Sequence, residues 1–152
     1  MKSKILIIVS GLIGTGKTTT ARELAAKFGA VHLLSDVIRK EMFSKRTYSR
    51  EETDLVYAEL FRRAEAVLKN GNVVLDATFL FKKYREAAKR LAEKIGADFL
   101  MIETRCPEEI VKKRLAARIN DASEAKFFHY LEQKNEFEPI EEPHLIVRTH
   151  LQ

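Results

Sequence analysis

The chain has 152 residues, 45% of them hydrophobic, enough for one domain with a sizeable core and too few for a second. Lysine and arginine number 27 against 22 acidic residues, a net charge of +5 that favours acidic partners such as nucleotides, phosphosugars or nucleic acid. The single cysteine, Cys106, excludes an internal disulfide and suits a reducing cytoplasm, and no stretch is apolar for long enough to span a membrane.

In chain order, the apolar run Ile5 to Val9 predicts a buried strand of a parallel sheet. Lys2 and Lys4 give it a passing likeness to a signal peptide, but it runs directly into a glycine loop and a charged helix with no small-residue cleavage pattern. The loop is Gly11, Leu12, Ile13, Gly14, Thr15, Gly16, Lys17, Thr18, in the spacing G-x-x-x-x-G-K-T, followed by Thr19 and a helix carrying Ala21, Leu24 and Ala25. Strand, loop and helix form the setting in which this spacing cradles phosphate. Glycines let successive N–H groups turn inward, and the helix N-terminus adds partial positive charge. Lys17 would then reach the β- and γ-phosphates, and the Thr18 hydroxyl would bind the magnesium ion that bridges them. A plain glycine turn with an exposed lysine would leave the joint spacing unexplained.

Gly29 stops the first helix, and Ala30 to Leu34 predicts a second strand. Ser35 is placed to N-cap a helix through Ile38, Met42 and Phe43. Ser49 and Glu52 have the capping-box spacing for a long helix through Leu55, Leu60, Ala64 and Leu68. Val73 begins a third strand, which carries Asp76 near its C-terminal end; a helix through Tyr84, Leu91 and Ile95 follows. Asp98 to Glu103 predicts a fourth strand, Pro107 opens a helix through Val111, Leu115 and Ile119, and Asp121 with Glu124 opens another. Pro139 and Pro143 mark a loop before a last strand, His144 to Arg148. Strands alternating with helices imply a three-layer α/β fold on a parallel sheet, with its ligand crevice beyond the C-terminal strand ends.

Several polar residues fall at that edge. Asp36 and Arg39 share a helix face; Asp36 could accept the proton of an attacking hydroxyl, or simply complement the helix N-terminus. Arg39 could hold an anionic group of the acceptor, orient Asp36, or be solvated. Asp76 ends its strand as a Walker-B aspartate does, able to hold a magnesium-bound water or the acceptor, and equally able to form a turn. Lys82, Lys83 and Arg85 could serve an anionic substrate or form a solvated face. Arg114 and Arg118, one helical turn apart, could close over a transferring phosphoryl group as part of a lid, or be surface residues.

The segments GLIGTGKTT, LLSDVIRKEMF, VVLDATFL with Arg85 following, RLAAR and NEFEPIEEP resemble the small P-loop kinases grouped as AAA-type ATPase-like predicted kinases. These are similar to the kinase domain of polynucleotide 5′-kinase, chloramphenicol phosphotransferase and zeta toxins. The resemblance covers nearly the whole chain. It implies a P-loop NTPase of α/β/α layers with a five-stranded parallel sheet and a helical lid at about residues 105–137. It also implies a magnesium-dependent ATP phosphotransferase in which Asp36 is the general base, Arg39 lies near the acceptor, and Arg114 and Arg118 sit on the lid. The leading expectation for the acceptor is a polynucleotide 5′-hydroxyl, on the basic balance and the Asp36 and Arg39 pair, with a sugar, nucleoside or antibiotic as the alternative. From the residues alone, a regulatory ATP-binding module and a nucleic-acid binder gated by ATP remain rivals. A GTPase switch is disfavoured, because the chain has neither N-K-x-D nor a D-x-x-G after the third strand.

Overall fold

Alternate residues of the first apolar run go to opposite faces of a sheet, and both faces are covered. The computed structural model describes residues 3–117 and 123–151. Strand β1 (Ile5–Ser10) sends Leu6 and Ile8 into one apolar cluster and Ile7 and Val9 into another. Burial on both faces explains why the run is continuously apolar instead of alternating.

After β1 come α1 (Lys17–Phe28), β2 (Ala30–Leu34), α2 (Ser35–Met42), α3 (Arg50–Leu68), β3 (Asn72–Asp76) and α4 (Lys82–Ile95). The chain continues with β4 (Asp98–Arg105), α5 (Glu108–Ala116), α6 (Ser123–Glu136), β5 (Leu145–Arg148) and a 3₁₀ turn, Thr149–Leu151. Among the described residues the five strands form one parallel sheet in the order β2-β3-β1-β4-β5. Helices α2, α3 and α4 contribute Ile38, Leu60 and Ala88 to the cluster containing Leu6 and Ile8. Helix α1 contributes Ala21 and Ala25 to the opposite cluster, which gives the three layers. The pair α5 and α6 packs Val111, Leu115 and Tyr130 against Leu12 and Ile13 of the glycine loop.

Register sets the functional edge. Leu34 lies beside Asp76, and Asp76 beside Val9, so the C-terminal ends of β2, β3 and β1 are level. The loop leaving β1 and the helix leaving β2 therefore start about 10 Å apart, two strand spacings across one edge.

Two local expectations need correction. Ser35 is the first residue of α2 and not its cap; Leu34 occupies the cap position with no side-chain bond, because β2 runs into α2 without a loop residue between them. At α3, Ser49 Oγ accepts from the Glu52 N–H at 3.1 Å, but the Glu52 carboxylate does not return to Ser49. It accepts instead from the N–H groups of Thr47 and Tyr48 and from Arg39. Helix α5 ends at Ala116, and Ile119 and Asp121 lie outside the described residues.

Candidate active site

The glycine loop curls as its spacing predicts. Gly14 and Gly16 take left-handed φ values of 81° and 91°, a region that penalises side chains. Side-chain bonds hold the curl: Thr15 Oγ1 donates to the Leu12 carbonyl at 2.6 Å and meets Thr104 Oγ1 at 2.9 Å. From outside, the Ile13 N–H donates to Gln133 Oε1 at 2.8 Å, and Thr149 Oγ1 donates to the Thr15 carbonyl at 2.7 Å. Lys17 Nζ lies 3.4 Å from the Leu12 carbonyl oxygen.

Thr18 and Asp76, 58 residues apart, meet: the Thr18 hydroxyl donates to Asp76 Oδ2 at 2.9 Å. Asp76 is only 4% exposed, and His32 Nε2 donates to the same oxygen at 3.0 Å. A hydroxyl and a carboxylate are the oxygen donors a magnesium ion takes alongside phosphate and water, so the residues present fit that ion. Next to them, the segment after β3 is tied to the loop. The Thr78 carbonyl accepts from Ser10 Oγ at 2.9 Å and from the Gly11 N–H at 3.3 Å. Phe79, fully buried with φ 47°, donates its N–H to the Tyr57 hydroxyl at 2.9 Å.

Asp36 is exposed in the first turn of α2, where its charge offsets the helix dipole. Burial pushes the Tyr57 phenol up to about 12, and Asp36 acts in the same direction, so the phenol stays protonated.

Other expected site residues are engaged elsewhere. Arg39 is 8% exposed and pairs with Glu52, with a second bond of 3.1 Å to Thr53 and the Tyr48 ring 4.6 Å away. It joins α2 to α3. Arg85 is 1% exposed and donates to the carbonyls of Phe79 at 2.7 Å and Glu138 at 2.8 Å. Burial draws its guanidinium below the ordinary value, and its role is to clamp the 137–140 segment onto the loop after β3. Arg114 donates to Thr149 Oγ1 at 3.0 Å and lies 3.5 Å from the Gly14 carbonyl, at the outer turn of the loop. Arg118 lies outside the described residues.

The sequence reading missed His32, Gln133, Thr104 and Thr149. His32 alone left a trace, as a polar residue inside the apolar run AVHLL.

A family model described as an AAA domain matches residues 6–140. The chain belongs to this family. It has the fold of the small P-loop kinases. A cytidylate kinase of Staphylothermus marinus is 32% identical over 133 residues, covering 72% of this chain and 75% of the relative. An uncharacterised protein of Mycobacterium tuberculosis is 31% identical over 135 residues, covering 79% of this chain; that match spans 27% of the mycobacterial protein's length. Among solved structures, the APS kinase of Mycobacterium tuberculosis aligns with a TM-score of 0.73 at 19% identity, over 97% of this chain and 90% of the other. A gluconokinase from Sinorhizobium meliloti aligns at 0.70 and 17%, over 97% and 83%. At these identities the two structures establish the fold alone. Among the described residues no helix is long and apolar enough to cross a membrane.

Proposed function

We propose that this chain is an ATP-dependent kinase that transfers the γ-phosphoryl group to a small-molecule acceptor. The observation that carries the reading is the Thr18 to Asp76 hydrogen bond beneath the curled loop, level with the exposed Asp36 on the same sheet edge. In this reading Lys17 and N–H groups of the loop hold the triphosphate. Thr18 and Asp76 would hold magnesium, which would neutralise phosphate charge. Asp36 takes the proton of the acceptor hydroxyl as it attacks, and its exposure lets an acceptor reach it.

A polynucleotide 5′-hydroxyl is the second reading, favoured by the net charge of +5. The buried pairing of Arg39 with Glu52 argues for the smaller acceptor, since it leaves that cation little exposed to an anionic strand. The name of the cytidylate kinase relative points the same way.

The test follows label from γ-phosphate-labelled ATP into pooled nucleosides and nucleotides, sugars, and 5′-hydroxyl oligonucleotides. Wild type and Asp36→Asn run in parallel. Label on a small-molecule pool, falling about 10²–10⁴-fold in the variant while ATP affinity holds, is expected for a general base. Label on oligonucleotides alone would overturn the acceptor class, and equal turnover by Asp36→Asn would overturn the assigned base.

A further inference from the structure

We infer that His32 is a positioning residue for the metal end of this site, acting through Asp76 on the Thr18 hydroxyl. The inference rests on Thr18 and Asp76 holding magnesium. Its basis is the shared oxygen: Thr18 Oγ1 at 2.9 Å and His32 Nε2 at 3.0 Å both donate to Asp76 Oδ2.

The sheet explains how the three residues meet. His32 of β2 is in register with Val74 of β3, two residues before Asp76, so His32 and Asp76 are diagonal neighbours on one sheet face. That is the face covered by α1, whose first turn carries Thr18. The His32 side chain is 17% exposed and Asp76 4%, so the bond between them is largely shielded from water.

The chemistry follows from the donor inventory of a hydroxyl. It has one proton and two acceptor lone pairs, and only the lone pairs bind a cation. While the Thr18 proton is committed to Oδ2, lone pairs alone remain for the metal. That holds only while the carboxylate keeps its orientation. One hydrogen bond leaves a carboxylate free to swing about its last torsion; the His32 N–H supplies a second fixed point on the same oxygen. Oδ1 is then the oxygen left for the metal or for its bound water. Without His32 a buried carboxylate would also lose a donor and turn toward solvent to replace it. His32 therefore acts on metal affinity while the N–H cradle that holds the phosphates is untouched.

The experiment titrates Mn²⁺, detected by electron paramagnetic resonance, into protein with a non-hydrolysable ATP analogue. Affinity for the analogue alone is measured in EDTA. His32→Leu removes the donor, and His32→Gln replaces it with an amide N–H. Residues that orient metal ligands set affinity by about tenfold or more, so His32→Leu is expected to weaken Mn²⁺ by that factor. Its metal-free analogue affinity should stay close to wild type, and His32→Gln should recover most of the Mn²⁺ affinity. Wild-type Mn²⁺ affinity in His32→Leu would overturn the positioning role and leave the phosphate site intact. An equal loss of metal-free affinity would also overturn it, by showing a structural role. If the wild type bound Mn²⁺ no better with the analogue than without, the magnesium reading of Thr18 and Asp76 would fall, and this inference with it.

Discussion

At Gly11 the phosphate loop has no room for a methyl group. A Cβ there would stand 2.1 Å from Thr104 Oγ1 and 2.7 Å from Thr15 Oγ1. Neither hydroxyl can step aside cheaply. Thr15 also donates to Leu12, and Thr104 donates to the Ser10 carbonyl at 3.3 Å, so moving either unpicks the bonds that hold the curl. Gly14 and Gly16 are constrained differently, by φ as well as by Val111 and Thr149 packed against them. Gly11→Ala is expected to displace the loop while the helices around it stay folded. Nucleotide affinity should fall by about tenfold or more, the worth of one or two charge-assisted hydrogen bonds. Titration with a fluorescent ATP analogue checks this, with circular dichroism as the fold control; unchanged affinity would show that the curl is not what holds the phosphates.

Helices α2 and α3 meet through one buried ion pair, and that contact has a pH signature. Burial alone would raise the Glu52 carboxyl, but the N–H groups of Thr47 and Tyr48 and the Arg39 guanidinium outweigh it and hold the group below its ordinary 4.5. A carboxyl lowered in the folded state contributes stability in full above its unfolded value and loses it as pH falls through the folded one. Wild-type stability should therefore fall as pH drops from about 4.5 through the lower folded pKa, in part through this group. Glu52→Gln should be less stable at pH 7, because Arg39 stays buried without its counter-charge, and should show a shallower loss in acid. Urea midpoints at pH 7, 5, 4 and 3 check both, and parallel acid curves for the two proteins would exclude Glu52 as a source of the acid sensitivity. This pair also marks the limit of what the sequence discloses. The strands and helices were legible because apolar period and Gly29, Gly96 and Pro107 punctuate them. That Arg39 and Asp36 share a face was legible from their spacing of three. That Arg39 turns to Glu52, thirteen residues on, was not, because it depends on how two helices pack.

Strand order acts on the whole molecule. Residues 18, 32 and 76 lie far apart in the chain, and the order β2-β3-β1 brings them within hydrogen-bond reach. The motif and the level C-terminal edge could be read from the sequence, since alternating strands and helices imply them. Which strand neighbours β1 has no local signal, and so His32 was passed over. The same convergence makes the site a link between β1, β2, β3 and α1, with α6 joined through the Ile13 N–H to Gln133 and α5 through Val111 and Leu115 packed on the loop. A ligand seated there engages the central sheet, so its binding energy should appear as global stability. Nucleotide with magnesium at one hundred times its dissociation constant adds about 2.7 kcal/mol to the folded state. For a domain of this size that corresponds to a rise in melting temperature of about 5–10 °C. Lys17→Ala removes the charge proposed to hold the phosphates, and at the same ligand concentration its rise should drop below about 2 °C. Scanning calorimetry of both proteins with and without the analogue decides the matter. Equal shifts would mean that the stabilising ligand sits away from the glycine loop. A shift in wild type alone ties the stability of the sheet to the phosphate cradle at its edge.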